Sequence, residues 1–246
     1  MRLLSSQNVL PDALAPYADV DRRLVDGRPW VLANMVSGLD GSTAIDGRVG
    51  ALSSPTDRQL FVDLRSVADV VLVGAETVRR ERYGPVVLSP ERRRWRDDRG
   101  RPPLPRLGVV SRSLSFDLDA KLFRPGPEGL PPIVLTCDAS SPDARARLSQ
   151  VAEVIVAGSD RVEPVLALQA LADAGHHVVL CEGGPSLLGE LLAQDLVDEL
   201  CLTLAPIVGG DPLPVAVMPP TAATSDFRLG HVLEADGNLF LRYERR

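Results

Sequence analysis

VVLCEGGPSLLGELLAQD, residues 178–195, joins a β-branched apolar run to a leucine-rich helical pattern through one carboxylate, two glycines and a proline. An apolar run without alternation is the mark of a strand buried on both faces, as in a parallel sheet covered by helices. Pro185 suits the first turn of a helix, where its missing N–H costs nothing. Gly183 and Gly184 lack Cβ, so backbone there can approach a ligand closely and take up positive φ. Strand, Gly-Gly and helix together present bare N–H groups and the positive end of a helix dipole to an anion, with Ser186 able to add a hydroxyl. A tight strand-to-helix turn with no ligand has the same spacing, and at this point both readings stand.

The pattern repeats outward along the chain. Apolar runs at 29–36, 68–74, 105–111, 131–136, 152–158, 176–184 and 198–210 read as strands. Between them, SPTDRQLFVDLRSV (54–67) reads as a helix with Ser54 as N-cap, Pro55 at N1 and Leu60, Phe61 and Leu64 on one face. EPVLALQALADAG (163–175) reads as another, with Val165, Leu168, Leu171 and Ala172 as its stripe and Gly175 as its C-cap. The ending FRLGHVLEADGNLFLRYERR alternates around ADGN, the signal of an antiparallel hairpin. The expected fold is α/β, a mostly parallel sheet closed by that hairpin, with an N-terminal arm at 1–28 and a single domain at 29–246. The Pro- and Arg-rich segment 84–105 reads as an insertion or long loop, and its arginines as a solvated surface.

Composition narrows the function. The chain has 246 residues, is 45% hydrophobic and 24% charged, and carries a net charge of −6, which speaks against a general nucleic-acid binder. No apolar run is long enough to span a bilayer, and the start lacks the h-region and cleavage site of a secretion signal, so a cytoplasmic chain with no membrane partner is expected. Cys137, Cys181 and Cys201 are widely separated and form no CxxC, which favours three buried thiols over a disulfide framework or a zinc site. H-x-E with P-C-x-x-C, G-x-S-x-G and Walker motifs are all missing, so hydrolytic chemistry has little support and no metal is expected.

Other strand ends supply candidates. In VVLVGAETV, Gly74 closes a strand and Glu76–Thr77 open a short helix; with the Gly183–Gly184 turn it could hold one pyrophosphate from two sides. Ser111 and Arg112, after the next strand, suit a ribose 2′-phosphate, or are exposed loop residues. Thr136 ends the strand IVLT and is the weakest of these cofactor candidates. NMVSGLDGSTAIDGRVGALSSPTD is a glycine-rich loop of the kind that often forms a lid. Asp57 follows it, either as a simple helix N-terminal acid or as a carboxylate facing a ring N–H of a heterocycle. Arg65, roughly on the same helix face, could hold a phosphate, or pair with Asp63 or Glu76.

Taken in order, LDG, VGAETV, VVSRS and EGGPSLLGELL resemble the reductase domain of bacterial riboflavin biosynthesis, which shares the three-layer dihydrofolate reductase fold. The likeness runs from about residue 29 to the C-terminal hairpin. It implies an NADPH-dependent reductase that opens the ribosylamino group of 5-amino-6-(5-phosphoribosylamino)uracil to the ribitylamino form. Carried over, Ala33 and Asn34 would meet the nicotinamide carboxamide and Ile45 would pack near that ring. Gly74 and Thr77 would face the pyrophosphate, with Glu182, Gly183, Gly184, Ser186 and Leu187 opposite, while Ser111 and Arg112 meet the 2′-phosphate. Asn34, Ser54, Asp57 and Arg65 would contact substrate, Asp57 as the catalytic carboxylate and Arg65 on the phosphate.

The resemblance also implies a homodimer. Two features depart from the family: the zinc-deaminase half fused to many such enzymes is not in this chain, and Ser42–Thr43 stand where a Lys or Arg usually follows LDG. Two alternatives stay open, a reductase of dihydrofolate or another pterin, favoured by Asp57, and a nucleotide-binding protein without catalysis.

Overall fold

The structure, a computed structural model, describes residues 10–126, 129–220 and 222–246. The first nine residues of the expected arm lie outside the described residues. Nine strands form one sheet: β1 (Trp30–Gly38), β2 (Val70–Gly74), β3 (Arg106–Val110), β4 (Ile133–Thr136), β5 (Glu153–Val156), β6 (Val178–Cys181), β7 (Glu199–Ala205), β8 (Phe227–Ala235) and β9 (Asn238–Arg245). Their spatial order is β5-β4-β3-β2-β6-β1-β7-β9-β8. From β5 to β7 all neighbours are parallel; β9 runs antiparallel to β7 and β8 antiparallel to β9. All seven expected strands and the hairpin are present, and Asp236–Gly237 form its turn. β7 stops at Ala205, before Pro206, so 206–210 are not strand as expected.

The unbroken apolar runs follow from burial on both faces. Side chains alternate across a strand, so Val31 and Ala33 join Val70, Leu72 and Val179 on one face, while Leu32 joins Val71, Val73, Val178 and Leu180 on the other. The first face is covered by α6 (Pro164–Asp173) and α7 (Pro185–Ala193), and the second by α2 (Pro55–Leu64) and α5 (Pro142–Leu148). That is a three-layer arrangement. Within α6 the buried stripe is Ala167, Leu168 and Leu171; Val165, expected on it, is 48% exposed. The described part of the arm packs on the sheet through α1 (Ala15–Ala18), where Leu14 and Tyr17 are buried.

The segment 84–105 departs from its reading as a solvated loop. It contains α4 (Pro90–Asp97), capped by Ser89, whose hydroxyl accepts from the Arg92 N–H. Arg92 forks onto Asp63 of α2 at 2.9 and 3.0 Å and onto Asp12 of the arm at 2.8 and 2.6 Å. Arg96 is fully buried without a carboxylate: it donates to the carbonyls of Pro102, Ser66 and Ala68, and burial pulls its pKa down to about 10. These arginines take the place of an apolar stripe: their stems pack, while the Arg92 head binds carboxylates and the Arg96 head satisfies backbone carbonyls, those of Ser66 and Ala68 just beyond α2 among them. Arg96→Ala should therefore lower the urea-unfolding free energy by about 3 kcal/mol, the cost of stranded carbonyls plus a lost side chain. A loss below about 0.5 kcal/mol would contradict this clamp.

Candidate active site

The two glycine turns read separately in the sequence form one junction. β2 and β6 are neighbours, so Gly74 and the Gly183–Gly184 turn leave the sheet side by side. The Gly74 N–H donates to the Gly183 carbonyl at 2.9 Å. Gly183 sits at φ +90, a region that suits glycine, and the Gly183–Gly184 peptide is cis. A Cβ on Gly184 would stand 2.7 Å from the Thr77 hydroxyl of α3 (Ala75–Glu81). Hence the Gly183–Gly184 turn has no room for a side chain against α3, whereas a Cβ on Gly74 would meet only ordinary contacts, none nearer than 3.5 Å. Ser54, Ser89 and Ser141 cap α2, α4 and α5, whereas α3 and α7 have no side-chain cap, leaving their first-turn N–H groups to another acceptor.

These ends open onto a cleft of about 1540 Å³ beyond the carboxyl ends of the strands. Ligands of open α/β sheets bind at this place, where the strand order switches. Of the expected residues, Asn34, Asp57, Arg65, Gly74, Thr77, Ser111, Arg112, Glu182, Gly184, Ser186 and Leu187 all line the cleft. The others are not among its lining residues. Ala33 is buried within β1, and Ser54 caps α2 by accepting from the Asp57 N–H at 3.1 Å. Ile45 packs with Val36, Leu52 and Ala205. Thr136 is enclosed with its hydroxyl unpartnered, and Gly183 lies against Met35.

Asp57 and Glu182 are both buried carboxylates of the cleft wall, but their surroundings differ. Glu182 accepts from Arg65 Nε and Nη2 at 2.7 and 2.8 Å and from the Tyr83 hydroxyl at 2.8 Å. Arg65 therefore pairs with neither Asp63, which is held by Arg92, nor Glu76, which is held by Arg80. Burial opposes the charge of Arg65, and Glu182 more than offsets it, raising the arginine's pKa; burial next to Glu182 drives the Tyr83 hydroxyl well above its usual value. The carboxylate of Asp57, by contrast, accepts no side-chain hydrogen bond among the described residues. It stands in the first turn of α2, where the helix dipole favours its charge.

The glycine-rich loop after β1 forms another wall. Asp40 accepts from the N–H and hydroxyl of Ser42 and from the N–H groups of Gly209 and Gly210, bonds that hold its pKa low. Ser42 is thus engaged within the loop, while Thr43 lines the cleft and bonds the Leu213 carbonyl at 3.1 Å through its hydroxyl. Tyr83 went unread in the sequence: no periodicity marks it, and it is turned inward by Arg82 at φ 51. Cys137, Cys181 and Cys201 are free and buried, as expected, and burial pushes the Cys181 thiol up to about 12. No helix among the described residues is long and apolar enough to cross a membrane, and none of their acidic, His and Cys side chains cluster as a metal site.

The closeness of Gly184 to Thr77 can be checked directly. Gly184→Ala should lower the melting temperature by roughly 3–8 °C, as for an overpacked site, and Thr77→Ala in the same chain should restore part of it. Additive losses in the double variant would contradict the contact.

The family model described as RibD C-terminal domain matches residues 29–238. An Archaeoglobus fulgidus protein named 2,5-diamino-6-ribosylamino-4(3H)-pyrimidinone 5′-phosphate reductase is 31% identical over 186 residues, covering 74% of this chain and 83% of its own length. A Methanothermobacter thermautotrophicus protein of the same name is 31% identical over 184 residues, covering 74% and 81%. Among solved structures, a pyrimidine reductase-like protein from Corynebacterium diphtheriae superposes with a TM-score of 0.80 at 31% identity, with 96% of each chain covered. The riboflavin biosynthesis reductase Rib7 of Saccharomyces cerevisiae gives 0.68 at 20% identity over 94% and 95% of the chains, a likeness of fold. With a family model that spans residues 29–238 of 246, the chain belongs to the RibD C-terminal domain family.

Proposed function

We propose that the chain is an NADPH-dependent reductase acting on the ribosylamino side chain of a pyrimidine 5′-phosphate. The observation that carries this reading is a buried carboxylate, Asp57, without a hydrogen-bond partner among the described residues, in the same cleft as the glycine junction of β2 and β6. The junction's backbone and the uncapped first turns of α3 and α7 suit a pyrophosphate, and Gly74 and Gly184 present bare main chain on the cleft wall. Ser111 and Arg112 lie on the same cleft, and Arg112 is exposed with no ion pair among the described residues, which suits a 2′-phosphate. When bound, the dinucleotide supplies the hydride; the chain supplies position, a dry wall and fixed charge.

Asp57 also bears on the substrate's ring. A carboxylate accepts two parallel N–H bonds from a 2-aminopyrimidinone edge, whereas a uracil edge offers one N–H flanked by carbonyls. This favours the 2,5-diamino compound for which the relatives are named over the uracil expected from the sequence, although the reacting C1′ is common to both. A pterin presents the same amino edge, so dihydrofolate is the competing substrate. A homodimer belongs to this reading, supported by exposed Leu229 and Leu239 on the β8–β9 hairpin, as does a place in the cytoplasm.

The test follows NADPH absorbance with the diaminopyrimidinone phosphate, the ribosylaminouracil phosphate and dihydrofolate in turn. Turnover of a ribosylamino compound is expected; turnover of dihydrofolate alone would overturn the assignment. Asp57→Asn should lower kcat/KM by roughly a hundredfold and leave NADPH affinity within about twofold. Arg112→Ala should weaken NADPH much more than NADH, and equal weakening would remove Arg112 from the 2′-phosphate.

A further inference from the structure

Glu182 has no exposed side-chain surface, and both of its oxygens are occupied by protein donors, Arg65 and Tyr83. The guanidinium of Arg65 also lies over the Phe61 ring, 4.7 Å from its centroid, and 5.8 Å from that of Tyr83. As a source of stability such a group is poor, because desolvating the charges cancels most of their attraction, and apolar side chains of similar volume would serve as well. What a buried two-pronged pair does supply is direction: the guanidinium fork meets a carboxylate in one planar geometry.

The members come from the elements that carry the site. Arg65 ends the helix whose first turn holds Asp57. Tyr83 follows α3, whose first turn holds Thr77, and its N–H bonds back to the Val78 carbonyl at 3.1 Å. Glu182 leads directly from β6 into the Gly183–Gly184 turn. A shift of any one of the three elements would break a buried charged hydrogen bond.

We infer that Arg65 and Tyr83 are positioning residues: acting through Glu182, they hold the Gly183–Gly184 turn at a fixed depth and in fixed relation to the Asp57 carboxylate. This rests on the reductase reading above. It gives Tyr83 a role and makes Arg65 a strut of the dinucleotide site rather than the main contact of the substrate phosphate.

The unaltered chain and its Tyr83→Phe and Arg65→Lys variants would be titrated with NADPH by nicotinamide fluorescence. Substrate KM and kcat would then be measured at saturating NADPH. Tyr83→Phe keeps the ring and removes one bond to Glu182, so NADPH Kd should rise roughly tenfold, the size of a hydrogen bond to a charged group, with substrate KM within about twofold. Arg65→Lys, which keeps the charge and loses the fork, should follow the same split. An unchanged NADPH Kd in Tyr83→Phe would overturn the inference, as would an Arg65→Lys chain whose defect lies in substrate KM alone. If Arg65→Lys fails to fold, Tyr83→Phe decides. Failure of the unaltered chain to bind NADPH would refute the reductase reading itself, an outcome distinct from normal binding by both variants.

Discussion

The hydrogen bond from the Gly74 N–H to the Gly183 carbonyl holds the site together. It exists because β6 inserts between β1 and β2, which places two strand-to-helix turns from distant parts of the sequence side by side. The second of these turns needs glycine at both of its positions, for different reasons. At Gly183 the backbone requires positive φ, and at Gly184 the Thr77 hydroxyl occupies the space a Cβ would fill. The strands beneath are apolar at successive positions because both faces are covered, so the turns rest on a rigid base, and Gly74 and Gly184 line the cleft above it.

Around that junction, charge is handled in two ways. Glu182, Asp63 and Glu199 are buried with arginine forks on their oxygens, which leaves them saturated. Asp57 is buried without such a partner among the described residues and lines the cleft. A carboxylate left in this state sets a demand that a donor-bearing ligand can meet, which is why it, and not the more prominent Glu182, carries the substrate proposal. The loop after β1 is fixed by Asp40 to Gly209 and Gly210, so it stands as a wall tied to the chain after β7.

Most of the sheet was legible because strands buried on both faces write themselves as β-branched runs bounded by Gly, Pro and polar residues. The helices α2, α6 and α7 were legible from their caps and apolar faces. α4 was not, because its buried face is made of Arg92 and Arg96, which a hydrophobic pattern does not count. α5 carried the same Ser-Pro opening as α2, yet it buries only Ala144 and Leu148. The cleft residues at strand ends were readable from glycine and helix position. Tyr83 was not, since its inward direction depends on the left-handed turn at Arg82. Thr136 rested on the weakest ground, and Ile45 on the resemblance alone; neither is among the residues lining the cleft.

Amide hydrogen exchange of the chain with and without NADPH tests the central claim most directly. If the β2–β6 junction grips the dinucleotide, the ligand should slow exchange at 74–77 and 183–188 and leave the hairpin at 227–245 unchanged. Protection confined to other segments, or none at a concentration that saturates binding, would contradict it.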